Sequence, residues 1–152
     1  LEPLPFGLDA EVPGRKAGRP DVDGSCVLVV ATDAPVLSRA LGRIARRALA
    51  GIWLTGGIGS HGSGDYAIAF STAPSVRMDY VESPTEPPVP RKLEALPDEA
   101  LSPLFMAATE AAQEAILDSL FKARTTTGYR GKTVEALPLD RVRAILAAPP
   151  RR

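Results

Sequence analysis

The feature that most restricts the fold is an abrupt change of character between Gly24 and Ser25. From Ser25 onward, SCVLVVAT is β-branched and apolar on both alternating faces, the pattern of a strand buried within a layered fold. The stretch before it holds four prolines, several glycines and a basic patch at Arg15, Lys16 and Arg19, with no apolar periodicity beyond LPFGL. Residues 1–24 therefore read as a linker or exposed tail, residues 25–148 as the folded region and residues 149–152 as a short C-terminal tail.

The elements after the strand follow from local signals. TDAP predicts a helix start, with Asp33 able to cap and Pro35 near the first helical position. Apolar residues then recur at Val36, Leu37, Ala40, Leu41, Ile44, Ala45 and Ala48, and the helix is expected to end near Gly51. Arg39, Arg43, Arg46 and Arg47 occupy the opposite face, read as solvated. TGGIGSHGSG is too rich in glycine for helix or regular strand and predicts a tight loop of close backbone approach. DYAIAFSTA alternates as a second strand, and residues 83–98, with five prolines, read as a surface excursion.

A long helix is expected from Pro103 to Ala123, with Leu104, Phe105, Ala108, Ala111, Ala112, Ala115, Ile116 and Leu120 on one side. Its alanines suggest close packing on a neighbouring helix. A short helix is expected at Leu139 to Ala147, with Arg141 and Arg143 outward. The fold class is α/β. Two strands make a poor sheet, so further strands are expected from a segment outside this chain.

Charge excludes some functions. Lys plus Arg and Asp plus Glu are equal at 18 each, giving no electrostatic reason to expect nucleic acid or an anionic membrane as partner. No apolar run approaches the roughly 18 residues needed to span a bilayer, so the chain reads as soluble. One cysteine, Cys26, forms no internal disulfide, and with one histidine it supplies no metal-ligand set; neither metal nor other cofactor is expected. The chain begins at Leu1 rather than Met and reads as part of a longer or cut protein; a cytoplasmic location is expected, with the periplasm left open.

Two places carry residues suited to chemistry. Cutting the Gly24-Ser25 bond, at the junction of tail and strand, would make Ser25 an N-terminus. A free α-amine titrates near about 7.7–8.0, so it can accept the proton of a hydroxyl on the same residue. From spacing alone the more ordinary reading is that Ser25 simply opens a strand after a glycine turn. In the loop GSHGSGD, Ser63 and Asp65 sit among glycines where hydroxyls and backbone N–H groups can approach a reacting atom, or form an ordinary turn. The loop lacks the lysine of a phosphate-binding P-loop. His61 reads as a surface residue outside the catalytic group, and Cys26 as a small buried hydrophobe pointing away from Ser25.

GSCVLVVATDAPVLSRALGRIARRALAGI, then TGGIGSHGSGDYAIAFSTA and TGYRGKTVEALPLDRV, together resemble the β chain of the L-aminopeptidase/D-esterase (DmpA) and β-peptidyl aminopeptidase (BapA) family, from Gly24 to about Val142. The resemblance implies an αββα sandwich of the DmpA/ArgJ type, layered like N-terminal nucleophile hydrolases, of which this chain supplies one part. It implies a precursor that cuts itself at Gly24-Ser25 into an α and a β chain. Ser25 would be the nucleophile of a serine aminopeptidase, with Ser63 and Asp65 as the other β-chain catalytic groups. Substrates would be short peptides, amides or esters. The oxyanion and amine-binding groups would lie on the α chain, leaving this chain inactive alone, and αβ units would assemble into homo-oligomers. At Asp118 the resemblance leads one to expect Asn.

Two alternatives stand beside this reading. An ornithine acetyltransferase of the ArgJ type shares the self-cleaving fold and an ATDA-like segment, but there the nucleophile is a threonine after alanine, whereas here the pair is Gly24-Ser25. A non-catalytic module in which Ser25 is never released is the other.

Overall fold

The computed structural model describes residues 24–78, 90 and 92–148. The tails at 1–23 and 149–152, and half of the expected excursion at 83–98, lie outside the described residues.

Strand β1 (Val27–Thr32) leads through helix α1 (Ser38–Leu54) to strand β2 (Tyr66–Ser71). Helix α2 (Ser102–Phe121), a hairpin of β3 (Thr126–Thr127) and β4 (Thr133–Val134), and helix α3 (Leu139–Ala147) follow. β1 and β2 pair in parallel, from Val27 opposite Tyr66 to Thr32 opposite Ser71. Parallel neighbours need a crossover connection, and α1 supplies it.

The first helix differs from expectation at both ends. Asp33 does not cap it: Leu37 occupies the N-cap without a side-chain hydrogen bond. The segment before it is held by hydrogen bonds to strand and loop instead. Thr32 Oγ1 accepts from the Ala34 N–H (3.1 Å), Ser71 Oγ donates to the Ala34 carbonyl (2.6 Å), and the Leu96 N–H donates to the Pro35 carbonyl (2.8 Å). With these bonds, two of them tertiary, Val36 sits in the core and the helix starts only at Ser38. Gly51 does not end the helix either. A Cβ on Gly51 would lie 2.7 Å from Ala112 Cβ, so this glycine sets how closely α1 and α2 approach. The chain turns only after Leu54, where Thr55 Oγ1 donates to the Ile52 carbonyl (2.8 Å).

The helix layer covers one face of the sheet. Val36, Ala40, Ile44, Leu101 and Ala108 form one buried cluster; Leu28, Ala48 and Ala112 form a second. Burying each large aliphatic side chain contributes about 1.5–3 kcal/mol. The alanine-rich contact expected of α2 is present at Ala108 and Ala112, but the stripe is narrower than its periodicity suggests, because Ala111, Ala115 and Leu120 are exposed.

The arginine face of α1 is only partly solvated. Arg39 and Arg43 pair with Asp98 (2.5 and 3.2 Å), and Arg43 and Arg47 lie over the Phe105 ring, 4.9 and 4.5 Å from its centre. The hydrogen bond from Arg39, helped by the charges of Arg39 and Arg43, holds the Asp98 carboxyl below its ordinary range. Asp118 pairs with Lys122 one turn later and raises its ammonium above the usual value.

The other sheet face is apolar and uncovered by any described residue. Val27, Val29, Tyr66, Ile68 and Phe70 are exposed there, Val29 at 64 %. Among the described residues β1 is thus covered on one side, and none of them covers the second apolar face that its sequence predicts to be buried. No helix among the described residues is long and apolar enough to cross a membrane.

Candidate active site

The register of β1 and β2 carries on beyond the strands, and this builds the site. Val27 faces Tyr66, an offset of 39 residues, and the same offset joins Cys26 to Asp65, Ser25 to Gly64 and Gly24 to Ser63. Because the strands are parallel, both start at the same end of the sheet, so their leading residues lie side by side there.

Each pair has its own hydrogen bond. The Tyr66 N–H donates to the Cys26 carbonyl (2.9 Å), prolonging the ladder by one step. The Cys26 N–H then donates to Asp65 Oδ1 (2.9 Å), a side chain taking over where backbone pairing stops. The Gly64 N–H donates to Ser25 Oγ (3.0 Å). Ser63 Oγ lies 2.6 Å from the Gly24 carbonyl oxygen and 2.8 Å from Asp65 Oδ2. A serine hydroxyl has a single proton, so it donates to one of these two acceptors at a time.

The structure therefore brings Gly24, Ser25, Ser63 and Asp65 together, although the two segments are far apart in sequence. They border an open cleft of about 360 Å³, whose other lining residues are Cys26, Ile52, Gly56, Gly57, Ile58, Gly59 and Ser60. His61 is exposed and does not line the cleft. Cys26 is half-buried, packing on the Leu28, Ala48 and Ala112 cluster while bordering the cleft.

Three contributors escaped the reading of the sequence: the N–H groups of Cys26 and Gly64, and the isoleucines of the cleft wall. The signal for the first two was present, since parallel pairing of SCVLVVAT with DYAIAFS fixes which residues precede each strand together. Among the described residues no group of three or more His, Cys, Asp or Glu side chains gathers as a metal site would require.

Comparison with known proteins adds the family. The model of peptidase family S58 matches residues 4–134. The chain belongs to this family. Among S58-like relatives, β-peptidyl aminopeptidase BapA of Sphingosinicella microcystinivorans is 44 % identical over 128 residues, 82 % of this chain and 30 % of that protein. A crystal structure of a protein from Pyrococcus horikoshii OT3 superposes with a TM-score of 0.68 at 44 % identity, covering 81 % of this chain and 33 % of that one. The L-aminopeptidase D-Ala-esterase/amidase of Ochrobactrum anthropi, described as a prototype of the serine aminopeptidases and a variant of the Ntn hydrolase fold, superposes at 0.65 with 34 % identity, covering 79 % and 32 %.

The S58 chain thus spans about a third of the length of these relatives. Its fold is that of the Ochrobactrum anthropi aminopeptidase: one helix layer on one sheet, a part of the αββα sandwich.

Proposed function

We propose that this chain is the nucleophile-bearing part of a self-processing serine aminopeptidase, with Ser25 as nucleophile and Ser63 and Asp65 as its supporting groups. The observation that carries the reading is the position of Ser63 Oγ, 2.6 Å from the carbonyl oxygen of Gly24, the residue joined to Ser25 by the bond to be cut. A donor aimed at that oxygen stabilises the negative charge that builds there when a nucleophile adds to the carbonyl carbon.

In self-cleavage, Ser25 Oγ adds to the Gly24 carbonyl carbon, the C–N bond to Ser25 breaks, and an ester to Oγ forms. The hydroxyl proton ends on the departing nitrogen, which becomes the α-amine of Ser25. Water then hydrolyses the ester, leaving a carboxylate on Gly24 and restoring the Ser25 hydroxyl. Asp65 fixes the geometry from both sides, accepting the Cys26 N–H through one oxygen and lying within hydrogen-bonding reach of Ser63 through the other. The Gly64 N–H orients Oγ.

Turnover of a peptide, amide or ester repeats these steps on a substrate carbonyl, with the new amine as proton acceptor. The amine, once free, meets the Ser63 hydroxyl and the Asp65 carboxylate in the place the peptide bond occupied. The remaining groups and the second sheet come from an α segment, which the greater length of the relatives supports. Assembly into oligomers of αβ units belongs to the same reading.

Mass spectrometry of the full-length protein tests it. Wild type is expected as two chains with Ser25 at a new N-terminus, and the Ser25→Ala protein as one inactive chain. A wild type that hydrolyses peptides with the Gly24-Ser25 bond intact overturns the proposal.

A further inference from the structure

Tyr66 opens β2 beside the site, and the chemistry above leaves its phenol unused. Side chains alternate along a strand, so Ser25, two residues before Val27, and Gly64, two before Tyr66, share the sheet face on which Val27 and Tyr66 are exposed. Tyr66 is not among the residues lining the cleft; it meets the nucleophile across Gly64 instead. The atoms nearest to a Cβ built on Gly64 are Tyr66 Cε2 at 3.4 Å, Ser25 Oγ at 3.6 Å and Tyr66 Oη at 3.9 Å. Two hydroxyls thus border one space, with the edge of the phenol ring as its wall.

That space accounts for the glycine. Gly64 is not one of the glycines with a left-handed φ, and its Cβ would make contacts of ordinary length, so neither backbone nor clash demands a glycine there. The N–H that donates to Ser25 Oγ (3.0 Å) belongs to the backbone and would persist in alanine. What a side chain would alter is the room between Oγ and Oη. Tyr66 is 67 % exposed, and its hydroxyl makes no hydrogen bond among the described residues, so it is available to a solvent molecule. In the proposed reaction the acyl oxygen meets Ser63, and the α-amine meets Ser63 and Asp65. The reactant still without a place is the water that hydrolyses the Ser25 ester. A water between two hydroxyls has the polar partners that ordering it requires.

We propose that the space over Gly64 holds this water and that Tyr66 is a catalytic residue of ester hydrolysis. This rests on Ser25 being the nucleophile. The water donates to Tyr66 Oη, which leaves its oxygen free to turn toward the ester carbon. That oxygen bonds to the carbon as the C–Oγ bond breaks. One proton of the water passes through the Ser25 α-amine to Oγ, and the other stays with the released acid. Formation of the ester consumes no water and does not use Tyr66.

The test uses the full-length protein and the p-nitrophenyl ester of an amino acid, with the ester on Ser25 followed by mass spectrometry after rapid mixing. Tyr66→Phe is expected to form that ester at the wild-type rate and to lose it about tenfold more slowly, the scale of one hydrogen bond. Its kcat falls accordingly, while kcat/KM, which ends with ester formation, stays at the wild-type value. Gly64→Ala, whose methyl group takes the space, slows the loss by at least as much, and either variant carries the test if the other does not fold. Variant esters that decay at the wild-type rate overturn the water site and leave the nucleophile standing. Formation and decay slowed alike overturn it also, since a general disturbance of Oγ acts on both. A wild type active with the Gly24-Ser25 bond intact removes nucleophile and water site together.

Discussion

The end of the sheet where the strands begin and the seam between α1 and α2 are built by opposite means. At the strand starts, single hydrogen bonds between partly exposed groups fix four residues relative to one another, and little apolar surface is buried. In the seam, small side chains bring two helices close over buried clusters, and polar bonds are few. In the proposed chemistry the first region governs where a proton or a pair of electrons goes; the second governs whether the chain stays folded. Changes in one should therefore leave the property of the other largely untouched.

The largest expected effect separates the two. Ser63→Ala removes the donor to the Gly24 carbonyl and should slow self-cleavage by about 10²–10³-fold, the usual loss for one oxyanion donor. Its unfolding midpoint in urea should move little, since the hydroxyl is only half-buried; a large fall there, with cleavage at the wild-type rate, would break the division. Time-resolved gels of the newly made protein provide the rate.

Gly51→Ala probes the seam. Alanine favours a helix over glycine by about 1 kcal/mol. Against this, its Cβ would meet Ala112 Cβ and the Gln113 nitrogen at 2.7 Å, and overpacking of this kind costs about 1–3 kcal/mol. The clash involves backbone, which gives less readily than a side-chain tip, so the net effect is a loss of stability read by urea titration, with substrate selectivity retained. A gain in stability would show that the helices have room to part.

The smallest effect lies at the rim of the seam. The Asp98 carboxyl is held below its ordinary range, mainly by the hydrogen bond from Arg39. Such a group stabilises the fold above its unfolded pKa of about 3.9 and loses that contribution as pH falls through its folded value. Asp98→Asn should accordingly be slightly less stable than wild type at neutral pH and converge with it in acid, as thermal melts at several pH values would show. A gap that persists at low pH would mean that the residue acts through packing.

The same contrast explains which parts could be read from the sequence. Helix α3 matches its expected span, Leu139 to Ala147, and α2 begins one residue before its expected start and ends two residues before its expected end, because their periodicity and flanking prolines act locally. Helix α1 was misjudged at both ends for tertiary reasons: Val36 is drawn into the core before the helix begins, and Gly51 answers to Ala112 on another helix. The hairpin at 126–134 escaped notice because its strands are two residues long and exposed, leaving no alternation to detect. Ser25, Ser63 and Asp65 could be singled out by residue type and resemblance. The N–H groups that accompany them carry no signal of their own, because every residue but proline has one; only the parallel pairing of the two strands selects among them.

That register ties the fate of the chemistry to the length of everything between the strands. A one-residue deletion in the loop at 55–62, absorbed by sliding β2 along β1, would set Gly64 beside Gly24 and Asp65 beside Ser25. The Gly24 carbonyl would then face a residue with no hydroxyl, and a carboxylate would sit against Ser25 Oγ. Loop and helix can vary in composition, but their combined span behaves as a ruler, and a chain cut to the wrong measure would fold into the same layers around a mute centre.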